Sequence, residues 1–226
     1  MNSAPRFDPF PPQSQRDILS QSARKALRHA ARAEEAGAAP ISGSIDILRD
    51  AGLMLEDGAT APLRTAHALM QIGAANLSVG RLWEGHVNAL RLIRLYGSAA
   101  QAERAKQVIR QGGLLGVWGA DGSNPARSEK GVLKGEKIFA SGLGTVTHTL
   151  VSLNSGPEVQ LALIDVTDPA RGDASQWDML GMRATASGTY DFSGLPLEDD
   201  ALIGAPGDYL KAVSYTHLRA HETVLD

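Results

Sequence analysis

At Gly112-Gly113 the chain changes its period. Before that pair, apolar residues recur every three to four positions. After it they alternate every second position, and Gly, Thr, Ser and Val become frequent. A helical half followed by a strand half predicts an α+β protein. The expected parts are an all-helical N-terminal domain over residues 14–111 and an antiparallel β-barrel-like middle domain over residues 112–212. Residues 1–13, rich in proline, read as a mobile lead-in.

Within the first half, "RDILSQSARKALRHAARAEEAG" places Leu19, Ala23, Ala26, Leu27 and Ala30 on one stripe, with Gly37 just past its end. "SIDILRDAGLML" is a short helix carrying Ile45, Leu48 and Leu53, broken near Gly52. "PLRTAHALMQIGAANL" has Pro62 in its first turn, and Ala66, Leu69 and Met70 are expected to face inward. In "SVGRLWEGHVNALRLIRLYG", Val79, Leu82, Trp83, His86, Leu90 and Ile93 follow the helical period. Ser98 and Gln101 then form a capping box for the helix that Gly112-Gly113 ends.

In the second half, "GVLKGEKIFASG" reads as a hairpin turning near Lys134-Gly135. "THTLVSL" and "EVQLALIDV" are strands joined by the turn residues "NSGP". "GTYDFSGLPL" is a further strand.

Composition narrows the function. A net charge of −3 without a basic run leaves no electrostatic footprint for nucleic acid. The absence of cysteine excludes disulfides, thiolate metal sites and a cysteine nucleophile. No apolar run reaches the ~18 residues of a membrane span, and the N-terminus has no signal-peptide core. A cytoplasmic location is expected. His29, His67 and His148 lack companions at metal-ligand spacing, and His86 on its apolar face reads as a hydrogen-bonded core residue. No G-x-S-x-G elbow is present. "GLLGVWGADGSNP" fits neither the dinucleotide fingerprint nor the P-loop. The acidic run at 198–200 reads as a solvated turn.

"GEKIFASGLG" is more informative. Phe139 runs into the small residues Ala140, Ser141 and Gly142, which let a flat ligand approach the backbone closely. In a regular strand, Phe139 and Ser141 share a face and present a ring and a hydroxyl to one planar ligand. A hairpin with a core phenylalanine has the same pattern.

The order of parts resembles the acyl-CoA dehydrogenase family of flavoproteins, from about Ile45 to Tyr209. The motifs that carry the resemblance are "LKGEKIFASG" and "LGMRATASGTYDFSGLPLEDDALIG". The resemblance implies FAD as cofactor, with Val117, Trp118, Gly119, Ala120, Phe139, Ala140 and Ser141 lining its site. Phe139 stands where the family usually has a tryptophan beside the flavin, and Ser141 where a hydroxyl bonds near flavin N5. Arg183 and Thr185 are implied at the domain junction or substrate side. The implied reaction is α,β-dehydrogenation of an acyl thioester, with an electron acceptor as partner and a homo-oligomer as the intact assembly. The catalytic residue is not located.

"WGADGSNP" departs from the family's T-E-P and G-S-D. "GEKIFASG" is similar to branches of the same fold that are flavin-dependent monooxygenases, using reduced flavin and oxygen. A binding protein that has lost its flavin contacts is the remaining alternative.

The final residues, 213–226, are expected to be a non-native tail. Val213 to Thr223 match what one frame of a common transposase adapter encodes, which removes His217 and His221 from functional argument. On this expectation the chain is an N-terminal fragment without the family's C-terminal helical bundle. Such a fragment should be inactive and bind FAD weakly or not at all.

Overall fold

The computed structural model describes residues 17–58, 61–155 and 158–211. The proline-rich lead-in, Gly156 and Pro157 of the expected turn, and the tail with His217 and His221 lie outside the described residues.

Helix α1, Gln21–Glu35, starts where the Ser20 hydroxyl accepts the Ala23 N–H at 3.1 Å. Its inward line runs through Ala23, Leu27, Ala30 and Glu34, and Ala26 is exposed, contrary to the expected stripe. Glu34 is buried because two donors meet its carboxylate, the Ser44 hydroxyl and the Asn76 amide, each at 2.6 Å. Helix α2, Ser42–Asp50, stops at left-handed Gly52, and a single 3-10 turn, Leu53–Leu55, follows.

Helix α3 is Pro62–Ala75. It buries Ala68, Ile72 and Ala75, while Ala66 and Met70 face solvent. Of the expected inward set, Leu69 packs against the core, while Ala66 and Met70 do not. The helix carries two apolar lines, and periodicity alone does not say which one finds a partner. Helix α4, Leu77–Tyr96, is capped by Asn76 and buried on most sides, with Val79, Leu82, Trp83, His86, Leu90 and Ile93 all inside. Helix α5, Ala99–Arg110, has the full Ser98–Gln101 capping box. Gln101 Nε2 also donates to the carbonyls of Asp200 and Leu202, both at 2.7 Å, tying this helix to the strand half.

The strands are β1 Leu115–Trp118, β2 Arg127–Glu129, β3 Val132–Lys134, β4 Glu136–Ala140, β5 His148–Ser155, β6 Glu158–Asp165, β7 Gly172–Asp173, β8 Gly188–Asp191 and β9 Leu202–Ile203. They form two sheets. One runs β3-β2-β5-β6-β9 with β1 also on β5, and the other runs β4-β8-β7. The β5–β6 hairpin is antiparallel in full register from His148↔Asp165 to Ser155↔Glu158. Pairing is otherwise antiparallel except where β5 takes β1 and then β2 in parallel. The α+β architecture holds, with helices before a mostly antiparallel β body.

The hairpin expected at Lys134-Gly135 is not there. The turn lies earlier, at Lys130-Gly131, and joins β2 to β3. Both turn residues have positive φ, 52° and 76°, as tight hairpins require. At Gly135 the chain instead leaves one sheet for the other, and a Cβ there would lie 2.3 Å from the Pro125 carbonyl. Only glycine fits this crossover.

Aromatic rings join the two sheets. Trp118 of β1 lies 5.3 Å from Tyr190 of β8, and Tyr190 lies 4.9 Å from Phe192, centroid to centroid. Phe192, fully buried, is the core phenylalanine of this half. Among the described residues no helix is long and apolar enough to cross a membrane.

Candidate functional site

Strand β4 ends in an irregularity. Its register against β8 shifts between Lys137 and Ala140, and Phe139 in that interval has φ of 52°. By alternation Phe139 would share the inward face of Lys137 and Leu133. The bulge turns it outward, and the residue is 62% exposed while Lys137 and Leu133 are fully buried. A non-glycine residue held left-handed costs about 1–3 kcal/mol. Leaving a phenylalanine in water forgoes about 1.5–3 kcal/mol of burial. Both costs fall on one residue and neither serves the core.

The expected strand partnership of Phe139 with Ser141 is also changed. β4 ends at Ala140, and Ser141 begins a turn, so the two do not sit on one regular strand face. Ser141 is instead held from behind. Its carbonyl accepts the Trp118 indole N–H at 3.0 Å, and its Oγ accepts the Ser187 hydroxyl at 3.0 Å. Ser187 is 2.9 Å from Thr185, whose hydroxyl donates to the Met182 carbonyl at 2.7 Å. With Ser187 donating to it, Ser141 keeps its own hydroxyl proton for an outside acceptor. Gly142, at φ of 86°, donates its N–H to the Thr185 carbonyl at 2.6 Å and closes this turn against the 183–187 segment.

The exit of β1 forms the neighbouring wall. Val117 is half-buried, Trp118 is buried, and Gly119 and Ala120 are exposed. The Trp118 ring belongs to the inter-sheet cluster, so this residue supports Ser141 through its indole N–H. Ala140 is buried beneath the bulge. A recess opens beside Ser141, with Arg81, Leu82 and Gly85 of α4 facing Gly116, Val117 and Val146.

Arg183 and Thr185 lie where the helical and strand halves meet. Glu35 Oε2 accepts the Arg183 backbone N–H at 2.8 Å, and Glu35 Oε1 accepts that of Ala184 at 3.4 Å. The Ser78 hydroxyl donates to the same carboxylate. The Arg183 guanidinium turns away to the exposed Asp178, at 2.8 Å. The 183–185 turn is bounded by left-handed Met182 and Ala186, so a strained segment is held against the helical half by Glu35.

Sequence reasoning missed two residues. Ser187 was visible only as one of several small residues. Lys137 was visible as a strand lysine whose alternation with Leu133 points inward, an unusual place for an ammonium group. Its Nζ donates to Asp121 Oδ1 at 2.5 Å and to Ser152 Oγ at 2.8 Å, and lies 3.4 Å from the Gly119 carbonyl. Burial depresses its pKa, and the Asp121 hydrogen bond and charge oppose that shift.

The fold has a known counterpart. The helical half and β body have the architecture of the N-terminal parts of acyl-CoA dehydrogenase-type flavin enzymes. Butyryl-CoA dehydrogenase from Megasphaera elsdenii superposes with a TM-score of 0.72 over 91% of this chain and 62% of its own, at 14% identity, which speaks for the fold alone. The sequence relatives are more specific. Dibenzothiophene monooxygenase from Rhodococcus erythropolis is 29% identical over 162 residues, 63% of this chain and 38% of its own length. The dibenzothiophene monooxygenase TdsC from Paenibacillus sp. A11-2, solved with FMN and indole, superposes with a TM-score of 0.71 at 26% identity, over 88% of this chain and 55% of its own. The chain thus spans about half the length, or less, of these monooxygenases. No protein-family model matches it. These similarities favour the monooxygenase alternative over thioester dehydrogenation.

Proposed function

We propose that this chain is the helical and β part of a flavin-dependent monooxygenase that uses reduced FMN, oxygen and a small fused aromatic substrate. The exposed, left-handed Phe139 at the bulged end of β4 carries the reading.

The residues present fit a flavin. Phe139 offers an open aromatic face, which a flat heteroaromatic ring system covers by offset stacking. Ser141 offers a hydroxyl proton at the same edge, held from behind by Ser187 and Trp118. Gly119 and Ala120 are exposed at the adjoining exit of β1. When bound, a reduced flavin supplies the electrons that activate oxygen. The chain's residues stack on the ring, donate a hydrogen bond at its edge and exclude water from one side. In this reading Arg183 and Thr185, at the junction of the two halves, stand on the substrate side of the site. FMN takes the place of the expected FAD because TdsC was solved with FMN. A homo-oligomer with the remaining helical wall completes the site in the whole protein.

The test has two arms. Reduced FMN, oxygen and dibenzothiophene or indole are supplied to the whole protein, and oxygenated product is followed. Butyryl-CoA with a dye acceptor is supplied in parallel. Oxygenated product without dye reduction supports the reading. Thioester-dependent dye reduction alone sinks it, and loss of any flavin signal favours a binding protein.

A further inference from the structure

We infer that Lys137 is a positioning residue that sets the spacing between the two walls of the flavin site, Gly119–Asp121 and Phe139–Ser141. The inference rests on the flavin reading for its functional half and on geometry alone for its structural half.

β4 lies between two neighbours. On one edge it pairs with β8, Lys137 opposite Tyr190. On the other it meets the segment after β1, through the Asp121–Lys137 bridge and the Ile138 N–H to the Ala120 carbonyl at 3.0 Å. That second seam continues through the Glu136 N–H to the Asn124 carbonyl at 2.8 Å and the Pro125–Glu136 bridge, without forming a regular ladder. Isolated bridges specify register less firmly than a continuous ladder.

The Lys137 ammonium fastens the seam. It has three N–H donors and three acceptors within reach, from Asp121, Ser152 and Gly119. Ser152 lies on β5 in the other sheet, and its hydroxyl donates to the Gly119 carbonyl at 3.1 Å. One ammonium therefore joins the exit of β1, the middle of β5 and β4 two residues before Phe139. Asp121 keeps a third of its side-chain surface in water, so the ion pair spans from core to site rim.

Charge in this position is costly. A buried ion pair is often no better for stability than an apolar side chain of the same volume. A methionine would fill the same space without desolvating an ammonium. What methionine cannot do is hold the Gly119 carbonyl and the Asp121 carboxylate at one point. The ammonium is thus better explained by register of the walls than by folding energy.

Lys137→Met separates these roles in the whole protein, where the remaining helical wall completes the flavin site. The thermal midpoint is expected to stay within a few degrees of wild type. Amide hydrogen exchange over residues 119–124 is expected to rise at least tenfold, with α4 unchanged. Affinity for FMN, read by flavin fluorescence, is expected to fall at least fivefold. Asp121→Asn should move exchange and affinity in the same direction by less.

Unchanged exchange at 119–124 in both variants overturns the inference, whether or not flavin binds. Faster exchange with unchanged FMN affinity overturns the positioning role and leaves the flavin reading intact. A wild-type chain blind to both FMN and FAD overturns the flavin reading, and exchange still decides whether Lys137 holds the segment. A variant with a collapsed thermal midpoint shows Lys137 to be structural and also overturns the inference.

Discussion

The imidazole of His86, on α4, accepts the backbone N–H of Leu115 through Nδ1 at 3.0 Å and meets the Met54 carbonyl through Nε2 at 2.7 Å. Leu115 opens β1, so one neutral ring links the helical half to the first strand of the β half. Accepting at Nδ1 requires the proton to be on Nε2, which fixes the tautomer. The expected core histidine is indeed a hydrogen-bonded core histidine.

The pH dependence of stability follows. Burial is the largest cause holding the His86 pKa down, at about 4 against an ordinary 6.5, and the Met54 hydrogen bond opposes it. The folded state binds this proton less readily than the unfolded chain. The contribution is therefore complete above about pH 6.5 and is lost as pH falls toward 4. Its size is on the order of 3 kcal/mol. Urea midpoints from pH 7.5 to 4.5 should fall for wild type. A flat profile would remove His86 from this role.

His86→Phe should keep the ring volume but strand the Leu115 N–H and the Met54 carbonyl. Each buried, unpaired group costs about 1–3 kcal/mol. The variant should be destabilised by about 2–6 kcal/mol at pH 7.5, and its profile between pH 6.5 and 4 should flatten. Both readings come from the same denaturation series.

Phe139→Gly should separate stability from function. Glycine accepts the left-handed φ without strain, and only an exposed ring is removed. Stability should stay within about 1 kcal/mol of wild type, while FMN binding weakens by at least fivefold. Equal loss of stability would return Phe139 to the core.

Ser187→Ala leaves Ser141 in place but removes the hydroxyl donating to it. The Ser141 hydroxyl then loses the hydrogen bond that orients it, and its proton is no longer directed at a ligand. The bound-flavin absorbance band should shift, and affinity should fall about two- to tenfold, the loss of one neutral hydrogen bond. An unaltered spectrum and affinity would deny Ser187 that part.

Glu35→Ala should loosen the 183–186 turn from α1. Met182 and Ala186 are left-handed, so the turn has no conformational preference of its own for that shape. Limited proteolysis should open between residues 174 and 187 first, with the helices still intact by circular dichroism.

Some features were legible in the chain because they are local. The Ser98–Gln101 capping box, the inward line of α4 and the β5–β6 pairing depend on residues a few positions apart or on one simple period. The change of texture at Gly112-Gly113 divides helix from strand for the same reason. Other features depend on contacts far apart in the sequence. Which apolar line of α3 is inside depends on what packs against it. Gly135 could close a hairpin or let the chain change sheets, and only the Pro125 carbonyl beside it decides. Phe139 has the alternation of a core residue, and the bulge against β8 turns it out. Lys137 is a strand lysine until Asp121, Ser152 and Gly119 converge on it from three other segments. Periodicity specifies which residues share a face. Packing specifies which face has a partner, and the candidate site is made of residues for which those two answers differ.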